Sequence, residues 1–414
     1  MNYAQARKLI EKYNQEHILS YYDELNEKEQ SELLKQIEHI DFELLKELYE
    51  KANTKVAESI GDIQPMHSEK RECVKNSLKY ISLGEKCIRE GKLAFVTMAG
   101  GQGTRLGFNG PKGAYILDKE NNKSLFELLC DTLKEAREKY NVIVPWYIMT
   151  SRENNSDTTA FFEANNYFDY GKENVFFCIQ GELPMLLEDG TCVMESKGRI
   201  KEAADGHGGV FAALNTSGAV SDMILRGVKW VFIGGVDNPL LKMVDPLFIG
   251  LCEEKEYMLA SKTIIKRSPD EKVGVFCKRQ GKPYVVEYTE ISEDMANLRD
   301  EEGCLVFGQS HVLCNMFKVE FLESLENTPL PYHVAHKKTN YVNSKGEVCK
   351  PDAPNAYKFE SFIFDAFSKA DDILLLETKR EDEFAPVKNS EGQDSPETAL
   401  ELLKKFREKQ EIKI

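Results

Sequence analysis

Residues 93–113 read Leu93-Ala-Phe-Val-Thr-Met98-Ala-Gly100-Gly101-Gln102-Gly103-Thr104-Arg105-Leu106-Gly107-Phe-Asn-Gly-Pro111-Lys112-Gly113. The opening apolar run has the length and β-branched or aromatic content of a buried strand. Glycines then take over, and an arginine and a lysine sit seven positions apart on the loop they form. Glycine lets a backbone approach a ligand closely and turns its N–H groups toward anionic oxygens. Arg105 can grip a phosphate with a bidentate fork, and Lys112 can serve as a point charge on another. Strand, glycine loop and two cations together read as a nucleoside-triphosphate cradle with Gly100, Gly101, Gly103 and Thr104 against the nucleotide. A plain glycine turn at a strand end is the alternative. A Walker loop requires Gly-Lys-Ser/Thr, whereas Lys112 follows a proline. A dinucleotide fingerprint requires G-x-G-x-x-G; the glycines at 101, 103 and 107 miss that spacing by one.

Outward from this block the hydrophobic period changes. Toward the C-terminus, apolar runs at 93–98, 143–149, 174–179 and 229–236 alternate with helical patterns at 124–140, 152–164 and 209–226. That alternation predicts an α/β fold: a Rossmann-like mixed, mostly parallel sheet with helices on both faces. Ligands of such sheets lie beyond the carboxyl ends of strands, where the glycine loop and Asp237 both fall. Shorter runs over 257–290, broken at Gly274 and Gly281, predict inserted antiparallel strands. Toward the N-terminus, residues 4–53 carry the period of short amphipathic helices, and a further helix is expected over 68–90. Residues 358–367 read as helix, 373–377 as strand, and 397–409 as a last amphipathic helix. The expected organisation is a helical N-terminal subdomain (1–90), a catalytic domain (91–370) and a short C-terminal segment (371–414).

The 414 residues are 42% hydrophobic and 30% charged, with a net charge of −15. That balance argues against general affinity for nucleic acid or an anionic membrane, while leaving room for a local basic pocket. Ten cysteines are scattered with no C-x-x-C pair, so zinc or redox chemistry has little support and buried free thiols are the simple reading. The first residues lead into a polar helix and not an apolar signal region, and no run approaches the roughly 20 apolar residues of a membrane span. A cytoplasmic enzyme is the expectation, its oligomeric state open.

Further blocks follow in order: Gln180-Gly-Glu-Leu-Pro184, Asp205-Gly206-His207-Gly208-Gly209, Val236-Asp237-Asn238, Val273-Gly274-Val275, Val286-Glu287-Tyr288-Thr-Glu290, Phe307-Gly-Gln-Ser-His311, Lys350-Pro-Asp-Ala-Pro-Asn355-Ala-Tyr-Lys358 and Arg380-Glu-Asp-Glu-Phe-Ala-Pro-Val-Lys388-Asn389. With Gly-Gly-x-Gly-Thr-Arg-Leu-Gly and Pro-Lys-Gly at the front, they resemble the UTP:sugar-1-phosphate uridylyltransferases. The resemblance covers about residues 90 to 400 and is nearest to the UDP-N-acetylhexosamine pyrophosphorylase branch.

The resemblance implies a transfer reaction that takes UTP and a sugar-1-phosphate to a UDP-sugar and pyrophosphate. It places Arg105 and Lys112 on the UTP phosphates and a magnesium ion on Asp237. Gln180 would read the uracil edge, for which an amide offers both donor and acceptor, and Gly206 and His207 would lie at the base. Gly274, Glu287, Tyr288 and His311 would contact the sugar, Lys358 would contact the sugar phosphate, and Lys388 would be a further phosphate-binding lysine. Each residue also has a simpler reading: Lys112 on a surface turn, Asp237 capping the next turn, Gln180 solvated in a loop, Glu287 facing outward on a strand, His207 structural, the 380–389 charges a solvated face.

Two departures bear on the sugar. His207 replaces the branch's Asn and gives the Gly-His-Gly seen in the UDP-glucose branches, and His311 replaces another Asn. Because most of the matching blocks are those of the N-acetylhexosamine branch, N-acetylglucosamine-1-phosphate is the first expectation; the two histidines make glucose- or galactose-1-phosphate the alternative, with a non-catalytic UDP-sugar sensor as a reading of another class. Longer members of the family continue into a small β-rich C-terminal domain. After Lys388-Asn389 this sequence carries one helix, so dimer contacts tied to that domain are not carried over.

Overall fold

The structure is a computed structural model that describes residues 1–54 and 61–411. Residues 55–60, within the expected N-terminal segment, and 412–414, at the end of the C-terminal one, lie outside the described residues. The chain forms two compact units, one of Met1–Glu58, Gly181–Gly209 and Leu330–Phe362, the other of Ser59–Gln180, Val210–Pro329 and Ile363–Ile414. Segments from three places in the sequence build each unit.

The larger unit is organised by a mixed sheet. From one edge inward its strands run Val175–Ile179, Trp146–Thr150, Leu93–Met98, Trp230–Gly235, Gln309–Lys318, Leu259–Ile265, Leu374–Glu377 and Glu69–Lys70. The first four are mutually parallel, Gln309–Lys318 runs against both its neighbours, and the last three are again parallel. Leu93–Met98 and Trp230–Gly235 are buried along their whole length, as continuous apolar strands in a covered parallel sheet must be. The inserted antiparallel strands appear as the hairpin Val275–Arg279 and Lys282–Val286. Its turn puts Gln280 at φ 52° and Gly281 at φ 77°, the left-handed pair that matches strand twist in two-residue hairpins.

The helices Leu125–Tyr140 and Asn155–Ala164 follow the expected pattern, and Ser124 caps the first by accepting the Glu127 N–H. The expected 209–226 helix is two, Val210–Thr216 and Ala219–Leu225, broken where Gly218 adopts φ 81°. The expected 68–90 helix begins only at Ser77, because Glu69 and Lys70 pair with the Leu374–Glu377 strand and their backbone groups are used there. Ser77–Arg89 packs on Pro246–Lys255 at glycines: a Cβ on Gly84 would stand 1.9 Å from the Pro246 carbonyl oxygen, and one on Gly250 1.8 Å from that of Tyr80.

In the smaller unit three helices, Tyr3–Lys12, Glu27–His39 and Phe42–Asn53, bury Ala6, Ile10, Leu33, Ile37, Leu45 and Leu48 against Leu186, Cys192, Ile200 and Phe359. Asn2 and Asn26 close capping boxes with Gln5 and Glu29, which satisfies orphan N–H groups at the helix starts. The expected 358–367 helix is a correction. Ala356–Glu360 is a strand between His333–Lys337 and Leu186–Leu187, and Ile363–Lys369 is 3-10 helix. Partner strands distant in sequence overrode a local helical period. All ten cysteines are free, and seven of them are buried.

Candidate active site

The site in the larger unit grows from strand ends. Leu93–Met98 and Trp230–Gly235 are neighbours in parallel register, with Met98 opposite Gly235. The glycine loop and Asp237 therefore leave the sheet at the same edge. Val175–Ile179 ends there too, two strands over, with Ile179 opposite Thr150. Gln180 is buried at that point, and a Cβ on Gly100 would stand 2.9 Å from its Oε1. The topology thus brings Gly100, Gln180, Lys112 and Asp237 to one edge.

The loop folds back on itself. Gly103 N–H donates to the Gly110 carbonyl and Lys112 N–H to the Gly101 carbonyl, while Asn154 donates to the carbonyls of Ala99 and Gly101. These bonds set Lys112 so that its Nζ lies 3.6 Å from Asp237 Oδ2, with the two side chains 17% and 26% exposed. Thr104 and Arg105 lie on a 3-10 turn and are exposed. Arg105 enters no ion pair among the described residues, which leaves its fork open to an anion.

Around His311 a second cluster forms. The His311 N–H donates to the Gly274 carbonyl at 2.9 Å, and a Cβ on Gly274 would stand 3.2 Å from Glu287 Oε1. His311 Nε2 lies 3.2 Å from Asn315 Oδ1, and the ring meets Phe276, Phe364 and Phe367 edge-on, at 5.5, 5.5 and 5.7 Å. The three expected sugar blocks are thus contiguous. Tyr288 follows on the surface, 44% exposed.

Lys388 stands at the end of a buried, irregular stretch, 384–387, and is itself exposed. Val387 N–H donates to the Asp237 carbonyl at 2.8 Å, which ties the Lys388 segment to the Asp237 loop. The Lys388 ammonium lies over the Phe384 ring, 5.6 Å from its centre.

The smaller unit carries the remaining candidates. Gly206 takes φ 87°, and a Cβ there would stand 2.2 Å from the Ser361 carbonyl oxygen, so only glycine fits that turn. Ser361 N–H donates to the Asp205 carbonyl, and Gly208 N–H donates to the Ser361 carbonyl. The His207 ring packs on Phe362 at 5.2 Å. Lys358 Nζ pairs with Glu360 at 2.7 Å, both side chains about a quarter exposed (23% and 25%).

Sequence reasoning missed a buried charge cluster behind the edge. Lys262 Nζ contacts both oxygens of Glu383, at 3.1 and 2.9 Å, and Asp245 Oδ2 at 2.9 Å. Arg71 binds Asp245 through both terminal nitrogens, at 2.6 and 2.9 Å. Burial pushes the Asp245 carboxyl up, but Lys262, Lys242 and Arg71 outweigh it and hold it well below the usual range. Burial and the nearby Asp245 carboxylate raise Glu383, because two carboxylates share one ammonium. The signal was present: a lysine inside the apolar run Leu259-Ala-Ser-Lys262-Thr-Ile-Ile265 must be paired if the strand is buried.

Among the described residues, no group of three or more His, Cys, Asp or Glu side chains is arranged to hold a metal. No helix among the described residues is long and apolar enough to cross a membrane. The fold is that of the UDP-sugar pyrophosphorylases. The family model described as UTP--glucose-1-phosphate uridylyltransferase matches residues 39–402, and the chain belongs to that family. It is 37% identical to UDP-N-acetylglucosamine diphosphorylase 2 of Arabidopsis thaliana, over 95% of this chain and 82% of that protein. It is 34% identical to the UDP-N-acetylglucosamine pyrophosphorylase of Saccharomyces cerevisiae, over 95% of this chain and 88% of that protein. The crystal structure of uridine diphosphate N-acetylglucosamine pyrophosphorylase from Trypanosoma brucei, in complex with inhibitor, superposes with a TM-score of 0.83 at 32% identity, covering 97% of this chain and 84% of that one.

Proposed function

We infer that this protein is a UTP:sugar-1-phosphate uridylyltransferase and that its sugar substrate is N-acetylglucosamine-1-phosphate. The observation that carries the reading is Lys112 beside Asp237 at the ends of adjacent parallel strands. The relatives' names supply the reaction and the sugar. A phosphate oxygen of the sugar-1-phosphate attacks the α-phosphorus of UTP. The new P–O bond forms as the bond from the α-phosphorus to the bridging oxygen breaks, and pyrophosphate leaves with that electron pair. The attacking oxygen is already ionised, so Glu287 is needed for holding sugar hydroxyls and not as a base. Catalysis then consists of alignment and charge neutralisation.

Arg105 and Lys112 take the UTP phosphates, and Lys358 and Lys388 the sugar phosphate and departing pyrophosphate. Gly100, Gly101, Gly103 and Thr104 offer backbone N–H groups to the triphosphate. Gln180, Gly206 and His207 take the uracil, and Gly274, Glu287, Tyr288 and His311 the sugar. Asp237 would hold magnesium: its hard carboxylate oxygen suits an ion that is commonly bound through one or two carboxylates together with substrate phosphates. Such an ion supplies charge neutralisation between the phosphates. Activity in the cytoplasm on small-molecule substrates, without nucleic acid or membrane, goes with this reading.

Plain hexose phosphates remain the second reading, because His311 and His207 stand where the branch pattern has asparagines. The test is pyrophosphate release with UTP, magnesium and each of N-acetylglucosamine-, glucose- and galactose-1-phosphate. The N-acetyl substrate is expected to give the highest kcat/KM. A preference for glucose-1-phosphate overturns the sugar assignment, and tight UDP-sugar binding with no pyrophosphate release favours a sensor.

A further inference from the structure

Residues 384–388 have no regular secondary structure, yet 383–387 are buried. Buried backbone must find hydrogen-bond partners somewhere, and here one side chain supplies two of them. Asn238 Nδ2 donates to the Glu383 carbonyl at 2.8 Å, and Asn238 Oδ1 accepts the Ala385 N–H at 3.0 Å. The neighbouring residue continues the pattern, its carbonyl accepting the Val387 N–H at 2.8 Å. The amide of Asn238 thus imitates a strand partner, and residues 237–238 and 383–387 are zipped together. Asn238 itself is 3% exposed, and its Oδ1 also accepts the Leu240 N–H at 3.2 Å. On the far side, the Glu383 carboxylate is anchored by Lys262, which is 1% exposed. Beyond the zipped stretch, the N–H groups of Lys388 and Asn389 both donate to the Asp394 carbonyl. Every fixed point in this segment lies on one side or the other of an exposed Lys388.

We propose that Asn238 is a positioning residue for nucleotidyl transfer: its side-chain amide clasps the backbone of Glu383 and Ala385 and so sets Lys388 against Asp237. The proposal rests on the functional reading above, since it treats Lys388 and Asp237 as the groups being aligned. Asn238 meets no substrate in this scheme. Its neighbour Asp237 and the lysine five residues beyond Glu383 do, and the clasp makes their spacing a property of the fold instead of a loop fluctuation.

The test compares wild type, Asn238→Ala, Lys388→Ala and the double variant in two measurements. Hydrogen–deuterium exchange of the unliganded protein reads the clasp without any catalysis. Peptides spanning 383–388 are expected to exchange about tenfold faster in Asn238→Ala, while the Leu93–Met98 strand keeps its protection. Pyrophosphate-release kinetics read the alignment. Asn238→Ala is expected to lower kcat about 100-fold, with UTP affinity by calorimetry changed much less. In the Lys388→Ala background the same substitution should cost no more than about twofold further, because interacting sites are not additive. Unchanged exchange at 383–388 overturns the clasp whatever the enzyme does. Faster exchange with unaltered kcat, or a full additive loss in the Lys388→Ala background, overturns the positioning role. If no chemistry is found in wild type, the functional reading fails while the exchange result still judges the clasp. Should Asn238→Ala not fold, Asn238→Ser, which keeps a polar but shortened side chain, carries the same comparison.

Discussion

At the edge of the large sheet, Lys112 and Asp237 stand 3.6 Å apart and keep 17% and 26% of their side chains exposed. In the same unit, Lys262, Asp245 and Glu383 meet at 2.9 Å with exposures of 1%, 1% and 3%. The buried set is compensated within the protein: Lys262, Arg71 and the neighbouring Lys242 answer the carboxylates of Asp245 and Glu383. The edge pair keeps its access to water, and Arg105 on the same loop enters no ion pair among the described residues. The difference follows from solvation. A charge far from water must be compensated by protein, whereas one at an open edge can wait for an anionic ligand. Two lysines with the same chemistry thereby sit in different surroundings, one clamped between buried carboxylates and the other partly open to water beside Asp237.

Removing one partner from the buried set should have the largest effect. Lys262→Met leaves Asp245 and Glu383 facing each other without their shared ammonium, and a loss of about 3–5 kcal/mol is expected, measured by urea denaturation. A loss near that of an exposed pair would mean that the cluster is wetter than its burial indicates. At the edge the expectation is reversed. Lys112→Ala should lower kcat/KM by about 10²–10³-fold, about 2.7–4 kcal/mol of transition-state stabilisation, and leave the urea midpoint nearly unchanged. Retained activity would remove Lys112 from the site, and a large stability loss would erase the contrast between the two sets.

Acid gives a smaller, graded test. The folded-state pKa of Asp245 is depressed, so the unfolded chain binds more protons than the folded one as pH falls. Its stabilisation is full above the ordinary Asp value of about 3.9 and is lost as pH drops from there toward the folded value. Glu383, raised by burial, pulls the other way, so the variant comparison is the clean one. The stability difference between wild type and Asp245→Asn should be greatest near neutrality and shrink once the pH is below about 4. A difference independent of pH would show that packing, and not charge, is what Asp245 contributes.

Much of this arrangement was legible in the sequence. The run Leu93–Met98 declared a buried strand through continuous apolar character, and Gly-Gly-x-Gly-Thr-Arg declared the loop that follows it, because both rest on local chemistry. Asp237, after the strand Trp230–Gly235, was legible for the same reason. The family followed from ordered blocks, whose spacing is a property of the chain alone. Other features could not be read in that way. Residues 358–367 showed a helical pattern and fold as strand and 3-10 turn, since their partners at 333–337 and 186–187 are remote in sequence. The helix expected from 68 begins at 77, because two of those residues complete the sheet beside Leu374–Glu377.

The sequence by itself determined which residues carry charge, which segments bury apolar surface, and which loops can approach an anion. These depend on side-chain chemistry and on spacings within a few turns or strands. Tertiary structure alone decided that Lys112 meets Asp237, that Gly274, Glu287 and His311 share one corner, and that Asn238 holds the segment leading to Lys388. The separations run from 13 positions between Gly274 and Glu287 to more than a hundred between Lys112 and Asp237, and strand order and register, settled by burial of the whole sheet, bring them together.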